Sequence, residues 1–381
     1  MTLAPVAAAS PGAERNAAPY LYGTELGALA EVLATGHYGH TAVTEAFERQ
    51  VADFLGVPDV VAVCSGTAAL HIALIAAGVG PGHEVLVPSM TFCASVQAIL
   101  ATGAEPRFLD VNPATMCTTP DLVNEALTER TAAVMPVHFG GRNTDLAPLE
   151  RLLSNRGITV VEDAAHAFGS HDNGGRPIGA VGRLTCFSFG PIKNLTCGQG
   201  GAIVPRSPNE AARLRALRML GVAGPSADRA ATTYEVTATG FRYQMSSLNA
   251  AIGTAQLARF EETAIARRTL WRAYREALSG IPGVELVDMD VSRSVPHLCI
   301  VRIPDRDRVW VQMRSAGIGV GVHYPPNHLQ PAFSRWARSL PATERLARHI
   351  LTLPFHQHLT VDDIHHTAAA LRRALSTGDL R

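Results

Sequence analysis

Residues 59–88 read DVVAVCSGTAALHIALIAAGVGPGHEVLVP and contain one complete strand–helix–strand unit. A β-rich run over 59–64 precedes an apolar helical pattern over 67–77, and the turn cluster GVGPG at 78–82 leads into a second β-rich run over 84–87. Strands that alternate with helices in this way are typical of a largely parallel sheet covered by helices. This stretch therefore predicts an α/β fold.

The same alternation of strand-like and helix-like segments continues as far as residue 204. Further β-rich runs lie at 106–109, 132–136, 158–162 and 201–204, and helical patterns lie at 91–102, 120–128 and 145–156. We therefore expect a mostly parallel central sheet that is sandwiched by helices.

The rest of the chain follows a different pattern and predicts a second, smaller domain. Helical patterns at 213–220 and 248–278, the longer one with a bend, flank an irregular polar stretch at 221–240. Short strand-like runs at 299–303 and 319–323 then alternate with helices. We expect a flexible, Ala- and Pro-rich tail over 1–18, a large domain over 19–250 and a small α+β domain over 251–381.

Composition restricts the classes of function that are open to this chain. The formal net charge at pH 7 is zero, so no long-range field would attract nucleic acid or an anionic membrane. The first 18 residues lack the pattern of a secretion signal, and no run of 18 apolar residues predicts a membrane span. Six scattered cysteines without a C-x-x-C pair indicate free thiols rather than disulfides or a metal site. We expect a cytoplasmic protein.

Lys193 is the only lysine beside 32 arginines. Arginine can supply surface charge, but it cannot supply a neutral primary amine. A general drift from lysine to arginine would also leave such a residue by chance. The neighbouring residues must therefore distinguish a chemical requirement from a chance remnant. Lys193 lies in FSFGPIKNLT at 187–196, a loop after a predicted strand, with glycines at 198, 200 and 201. Ligands bind at such strand ends, where a buried lysine has a lowered pKa and can attack an aldehyde.

Ser65-Gly66-Thr67 stands at the start of the first predicted helix, at the same edge of the sheet. Backbone N–H groups at a helix N-terminus, together with the helix dipole, hold phosphate well. Serine and threonine are also preferred there as plain helix caps, whatever the ligand. Both interpretations stay open for this segment.

Asp163 ends another β-rich run, in VVEDAAHA at 160–167. A carboxylate at this strand end would keep a pyridine nitrogen protonated and so make the ring an electron sink. Aspartate is equally a good cap for a following helix. The residues alone do not favour either role, pairing with a pyridine nitrogen or capping a helix.

Seven motifs occur in an order and spacing that resemble the DegT-like family of aminotransferases, which make amino sugars with pyridoxal 5'-phosphate (PLP) and have fold type I. The resemblance covers about residues 20 to 375. The motifs are SGTAALH at 65–71, GPGHEVLVP at 80–88, EDAAHA at 162–167, FSF and KNLT within 187–196, GGA at 200–202, MSSLNAAIG at 245–253 and GVHYPP at 321–326.

The resemblance implies three catalytic residues. Lys193 would form the Schiff base with the cofactor and later carry the proton between the reacting carbons. Asp163 would pair with the pyridine nitrogen, and His166 would lie near the phenolic oxygen of the ring. The alternative of a sugar 3-dehydratase is disfavoured, because those relatives have histidine where this chain has Lys193.

The resemblance also implies the remaining cofactor contacts. Gly66, Thr67 and Ser188 would bind the phosphate, and Phe92 would stack on the ring. Arg242, in GFRYQM at 240–245, stands where many members have asparagine and would reach the phosphate in the partner subunit. We therefore expect a homodimer with shared active sites.

Two further departures from the family pattern concern the segment around the lysine. The chain reads Gly198-Gln199-Gly200-Gly201, where glutamate is usual at the second position. Gly190 stands where bulkier or polar residues are common, which would enlarge the pocket. Arg242 and these two positions are candidates for a changed substrate preference.

By resemblance, the expected activity is transfer of an amino group from L-glutamate or L-glutamine to a keto-sugar carried on a nucleotide, in amino-sugar or antibiotic biosynthesis. His323 and Tyr324 are candidates for contacting this substrate, although a Tyr-Pro-Pro turn is also a common architectural element. A cyclitol or another cyclic ketone is the alternative acceptor. A non-catalytic PLP-binding regulator is a further alternative, which the complete set Asp163, Ser188 and Lys193 disfavours.

Overall fold

The computed structural model describes residues 11–223 and 234–376. Within them the α-helices are α1 (Thr24–Thr35), α2 (Ala42–Leu55), α3 (Gly66–Ala76), α4 (Cys93–Ala101), α5 (Pro120–Ala126), α6 (Glu150–Asn155), α7 (Pro208–Arg218), α8 (Ser247–Leu257), α9 (Phe260–Leu278), α10 (Arg306–Ser315), α11 (Pro341–Ala347) and α12 (Val361–Ser376). The strands are β1 (Val61–Val63), β2 (Glu84–Pro88), β3 (Glu105–Leu109), β4 (Thr131–Val134), β5 (Thr159–Asp163), β6 (Leu184–Ser188), β7 (Gly201–Val204), β8 (Val222–Ala223), β9 (Glu235–Val236), β10 (Glu285–Leu286), β11 (Cys299–Arg302) and β12 (Ile350–Leu353).

A seven-stranded sheet forms the centre of the molecule, in the order β1-β7-β6-β5-β4-β2-β3. The strands from β3 to β6 pair in parallel, whereas β7 is antiparallel to both β1 and β6. Alternate residues of β2 face two different helix layers. Val85 and Val87 pack with α3 and α4, while Leu86 packs with α5 and α6. The predicted α/β sandwich is therefore confirmed.

Most predicted segments match elements of the structure, with one difference of detail. The pattern at 145–156 is divided into a 3-10 turn at Ala147–Leu149 and helix α6. The long pattern at 248–278 bends between α8 and α9, as expected.

The strand predicted at 319–323 is wrong. The Gly321 amide and carbonyl pair once with Thr352, and no ladder continues on either side. The reason is that the Gly319 amide binds the carbonyl of Ala13 instead, while prolines at 325 and 326 offer no N–H for pairing.

A three-stranded antiparallel sheet, in the order β10-β11-β12, carries the second core. Trp271 and Tyr274 of α9 pack into this core with α10 and α12, whereas Phe260 and Ala264 of the same helix pack with the large sheet. Helix α8 runs without a break across the boundary expected at residue 250. The change from one core to the other occurs inside α9.

The described part of the N-terminal segment is held against the second core. Asn16 donates from Nδ2 to the carbonyl of Thr352, and its own carbonyl accepts from the Phe355 amide. The buried His356 contacts the carbonyls of Gly12 and Arg15. Residues 12–16 are therefore not a free tail, and residues 1–10 of the expected tail lie outside the described residues.

All six cysteines lie in the described residues and are unpaired, as the sequence predicts. Among the helices of the described residues, none combines the length and apolar character that crossing a membrane requires.

Candidate active site

A cavity of about 380 Å³ opens at the edge of the sheet where β5 and β6 end. The N-termini of α3 and α4 border it, together with the loop that joins β6 to β7. Its lining residues include Gly66, Thr67, Phe92, Asp163, His166, Ser188, Lys193, Gln199, His323 and Tyr324. All sequence-predicted site residues except Arg242 therefore meet in one place.

Lys193 lies in the loop between β6 and β7, where its amide donates to the Gly190 carbonyl at 3.1 Å. Burial lowers the pKa of its ammonium to about 8, although the nearby Asp163 carboxylate acts in the opposite direction. Removing an amine from water disfavours its charged form. A useful fraction of this side chain is therefore a neutral amine near neutral pH.

Asp163 is the last residue of β5, and its carboxylate faces the cavity. Ser95 in α4 donates from Oγ to Oδ2 at 2.7 Å, and the Ala165 amide donates to Oδ1 at 3.1 Å. The residues that follow Asp163 form turns and not a helix, so it caps no helix. These two donors fix the carboxylate at the floor of the cavity.

The N-terminus of α3 provides a backbone site for an anion. Ser65 is the cap, and its Oγ accepts from the Ala68 amide at 3.1 Å. The amides of Gly66 and Thr67 have no acceptor within the described residues. A Cβ on Gly66 would lie 2.7 Å from the Cβ of Ser188, so only glycine lets the helix end approach that strand. Capping and an open anion site therefore coexist here.

His166 lies on the wall of the cavity and is almost completely buried. Its Nδ1 accepts from the Gly140 amide at 3.3 Å, and its Nε2 lies 3.1 Å from Tyr324 Oη. The ring of His297 packs on it with 4.3 Å between centroids. Burial, with smaller contributions from Lys193 and His323, holds the pKa of His166 well below its usual value.

Tyr324 and His323 also line the cavity. Burial raises the pKa of Tyr324, and burial lowers the pKa of His323 to about 4. His323 Nδ1 lies 3.0 Å from Thr352 Oγ1, so this ring is tied to β12. The ring of Phe92 lies 5.7 Å from that of Tyr324 and is 56% exposed, which leaves one of its faces free for a planar ligand.

Comparison with known proteins identifies this arrangement. The model of the DegT/DnrJ/EryC1/StrS aminotransferase family matches residues 19–372. The chain belongs to the DegT/DnrJ/EryC1/StrS aminotransferase family. It is accordingly a PLP-dependent enzyme with the fold of the type I aminotransferases.

Solved structures of aminotransferases match over almost the whole chain. TlmJ from Streptoalloteichus hindustanus is 36% identical, with a TM-score of 0.89 over 95% of this chain and 99% of the other. DesV from S. venezuelae, solved with a ketimine intermediate, is 36% identical, with a TM-score of 0.85 over 92% and 93%. The sugar aminotransferase CalS13 from Micromonospora echinospora is 30% identical, with a TM-score of 0.87 over 94% and 99%.

The residues of the cavity fit the cofactor of this aminotransferase family. A phosphate needs N–H donors, which the amides of Gly66 and Thr67 offer. A protonated pyridine nitrogen needs a fixed carboxylate, which Asp163 offers, and an aldehyde needs a neutral amine, which Lys193 offers. The three groups stand on different elements and line one cavity.

Arg242 does not line this cavity. Its side chain is exposed, and its backbone forms a single bridge with Met219. Because the side chain is exposed, the expected contact with the phosphate of a partner subunit stays a prediction.

Several residues that shape the aminotransferase site have no clear signal in the sequence. Gly140 and His297 contact His166, and His297 Nδ1 in turn lies 3.2 Å from Asn194 Oδ1. His297 comes from an irregular segment, so no periodic pattern singles it out. Ser95 could have been found, since it lies on the first turn of the helix that follows Phe92.

Proposed function

We propose that this aminotransferase transfers the amino group of L-glutamate or L-glutamine to a keto-sugar carried on a nucleotide. The observation that carries the proposal is the meeting of Lys193, Asp163 and the α3 N-terminus in one cavity, within a family that includes sugar aminotransferases. Relatives with sugar substrates support the acceptor class.

Four side chains and one helix end would hold the cofactor. Asp163 would pair with the pyridine nitrogen, the amides of Gly66 and Thr67 with Ser188 would bind the phosphate, and Phe92 would cover the ring. His166 would stand beside the ring, on the side where Tyr324 closes the cavity. Bound PLP supplies an electron sink for the negative charge that develops on a substrate carbon.

Lys193 would move the proton. As a neutral amine, Nζ takes the proton from the α-carbon of the amino donor, and as an ammonium it returns one to the sugar carbon that becomes aminated. The lowered pKa of about 8 suits both directions, because both the ammonium and the neutral amine are populated near neutral pH.

A homodimer is part of the proposal. Arg242 is exposed and lies apart from its own cavity, and it would bind the phosphate in the partner's site through a charge-assisted hydrogen bond. Free thiols at all six cysteines also suit a reducing cytoplasm, where we propose that the enzyme acts.

The acceptor is tested with the enzyme loaded with the aminated form of PLP. Nucleotide-linked keto-sugars and cyclitol ketones are added separately, and the absorbance of the aldehyde form of the cofactor is followed. The proposal predicts rapid return of that absorbance with a nucleotide-linked keto-sugar. Return with cyclitol ketones alone would overturn the proposed acceptor and establish the alternative.

A matched pair of variants tests the role of Lys193. Lys193→Arg keeps the positive charge but has no neutral amine, and it is expected to lower kcat by at least about 10³-fold. Lys193→Ala, assayed with added methylamine, is expected to recover part of the rate. Full transamination by Lys193→Arg would refute the assignment, because the chain has no other lysine.

A further inference from the structure

The two ring nitrogens of His166 both have partners in the protein, and one of the partners can act only as a donor. The Gly140 amide donates to Nδ1 at 3.3 Å, so Nδ1 must carry a lone pair and no proton. The second nitrogen, Nε2, lies 3.1 Å from Tyr324 Oη. The hydrogen-bond pattern therefore determines the tautomer of His166.

Burial keeps the His166 ring neutral. The groups that face it are Lys193, His323, His297 and Tyr324, and its pKa is lowered well below the usual value. A neutral imidazole without a proton on Nδ1 has its proton on Nε2. Nε2–H must then donate to Tyr324 Oη, and the tyrosine oxygen is the acceptor in this pair.

The hydroxyl proton of Tyr324 is consequently left for another acceptor. Among the described residues, no other atom accepts from Tyr324 Oη, and the side chain lines the cavity with Lys193 and Asp163. Burial and the Asp163 charge raise the pKa of Tyr324, so the hydroxyl keeps its proton. The Tyr324 hydroxyl is therefore a neutral hydrogen-bond donor in the cavity, and its oxygen is held by His166.

The Gly140 amide, which sets the tautomer of His166, is held in place by neighbouring contacts. The Gly140 carbonyl accepts from the His297 amide at 2.9 Å, and the His297 ring packs on His166. Arg142 is buried two residues further on, and it donates to the carbonyls of Val287 and Asp288 at 2.6 and 2.8 Å. The Gly140 amide therefore has little freedom to turn away from Nδ1.

We propose that His166 is a positioning residue, which takes its tautomer from the Gly140 amide and directs the hydroxyl proton of Tyr324 into the cavity. The acceptor of that proton is an oxygen of a bound molecule, either the phenolic oxygen of the cofactor or the carbonyl oxygen of the amino acceptor. The identity of this oxygen rests on the proposed function, whereas the tautomer and the donor do not.

The tautomer is tested on the cofactor-free protein, so that activity plays no part. Ring-¹⁵N-labelled histidine is incorporated, and the His166 signals are assigned by their loss in His166→Gln. The expected spectrum shows a protonated Nε2 and an unprotonated Nδ1 between pH 6 and 8. A proton on Nδ1, alone or in an imidazolium, would overturn the proposal.

A double-mutant cycle tests whether His166 acts through Tyr324. Rates of the two half-reactions are measured separately for His166→Phe, Tyr324→Phe and the double variant. Each single change is expected to slow the acceptor half-reaction by about 10- to 100-fold, the scale of one hydrogen bond lost from a transition state. The double variant should be no slower than the slower single variant. Losses that multiply would refute a shared pathway.

The conservative variant His166→Gln provides the rescue. Its Oε1 can accept from Gly140 and its Nε2 can donate to Tyr324, so we expect kcat within about fivefold of wild type, with KM unchanged. A loss equal to that of His166→Phe would show that the imidazole itself is needed and would overturn the positioning role.

The absorbance of bound PLP distinguishes the two acceptor oxygens. If Tyr324 donates to the phenolic oxygen, Tyr324→Phe shifts the absorbance maximum without substrate and slows both half-reactions. If it donates to the substrate carbonyl, only the acceptor half-reaction slows. No change in either readout would overturn the proposal. A failure to use nucleotide-linked sugars would leave the tautomer and the donor half-reaction intact, so it would affect only the proposed function.

Discussion

Lys193 combines two properties at the scale of a single residue. It is the only lysine of the chain, and it lies where burial lowers the pKa of its ammonium to about 8 from a usual value of 10.5. An amine reacts with electrophiles only in its neutral form. The titration of one side chain can therefore be followed by chemical modification without interference from other lysines.

We predict that acylation of Lys193 in the cofactor-free protein increases with pH and levels off above a midpoint of about 8. The rate rises with pH because the neutral amine becomes more abundant as the ammonium loses its proton. The measurement is the extent of modification of the peptide that contains Lys193, by mass spectrometry, after short exposure to acetic anhydride. A midpoint near 10.5 would contradict the predicted burial, and Lys193→Arg provides the blank.

Gly66 provides a second test at this scale. A Cβ at this position would lie 2.7 Å from Ser188 Cβ and would push α3 away from the end of β6. We expect Gly66→Ala to weaken PLP binding by about 10- to 100-fold, which corresponds to an overpacking cost of about 1–3 kcal/mol. The measurement is the Kd for PLP of the cofactor-free protein.

Gly190→Ala is the matched control for that measurement. A Cβ on Gly190 would meet its nearest atoms, Gln199 Oε1 and Ser188 Oγ, at 3.7 Å, which is ordinary contact. We expect its Kd for PLP to stay within about twofold of wild type. Equal losses in the two alanine variants would argue against a specific close approach at Gly66.

At the scale of elements, one buried arginine connects the two cores. Arg142 follows the short 3-10 turn Phe139–Gly141 and donates to the carbonyls of Val287 and Asp288, just after β10. Its guanidinium has carbonyl partners and no carboxylate partner among the described residues. The guanidinium supplies donors to these two carbonyls, while the Val287 amide pairs with the Ile300 carbonyl.

We predict that Arg142→Met lowers the free energy of unfolding by about 2–4 kcal/mol, because it leaves buried carbonyls without donors. The change is measured by urea denaturation of the cofactor-free protein. As a control, Arg293→Gln removes one side of an exposed ion pair with Asp290, which is expected to contribute about 0–1 kcal/mol. Equal effects of the two variants would contradict a stabilising role of the buried Arg142 hydrogen bonds.

The sequence predicts the elements that carry the site because their signals are local. Buried parallel strands leave continuous apolar runs, and the polar residues that end them, such as Asp163 and Ser188, lie at one edge of the sheet. The local pattern of the segment at 319–323 also predicts a strand, and none forms there, because its first residue, Gly319, binds the N-terminal segment. Competition between backbone partners that are distant in the chain cannot be seen in a short stretch of sequence.

The partners of His166 illustrate the same limit within the site. Gly140 and His297 reach it from segments that are 26 and 131 positions away, and neither segment has a regular period. The role of an imidazole depends on which nitrogen is already bonded, which is a property of the folded chain alone. The histidine could be predicted to lie at the site, but the Tyr324 contact could not.

At the scale of the whole molecule, the proposed dimer divides each site between two chains. Arg242 is exposed outside its own cavity, whereas Lys193 is inside it. If Arg242 serves the partner, a dimer with Lys193 changed in one chain and Arg242 changed in the other keeps one intact site. That site has its own Lys193 and receives Arg242 from the partner. This consequence does not exist for a site built by one chain.

We predict that mixed dimers, formed by co-expressing Lys193→Ala with Arg242→Ala, have roughly half of the wild-type rate at limiting PLP, because one of their two sites is intact. The two variants are purified through different affinity tags, and the doubly tagged fraction is assayed. Mixing without any gain would show that each subunit completes its own site.

The exclusive use of arginine on the outside has a practical consequence for handling the enzyme. Cellular marks that are attached to lysine, such as acetyl groups or ubiquitin, have no lysine amine outside the catalytic cavity to modify. Supports that immobilise proteins through lysine amines would likewise meet none on the surface. Given the proposed role of Lys193, any such attachment to a lysine of this chain would also inactivate the enzyme.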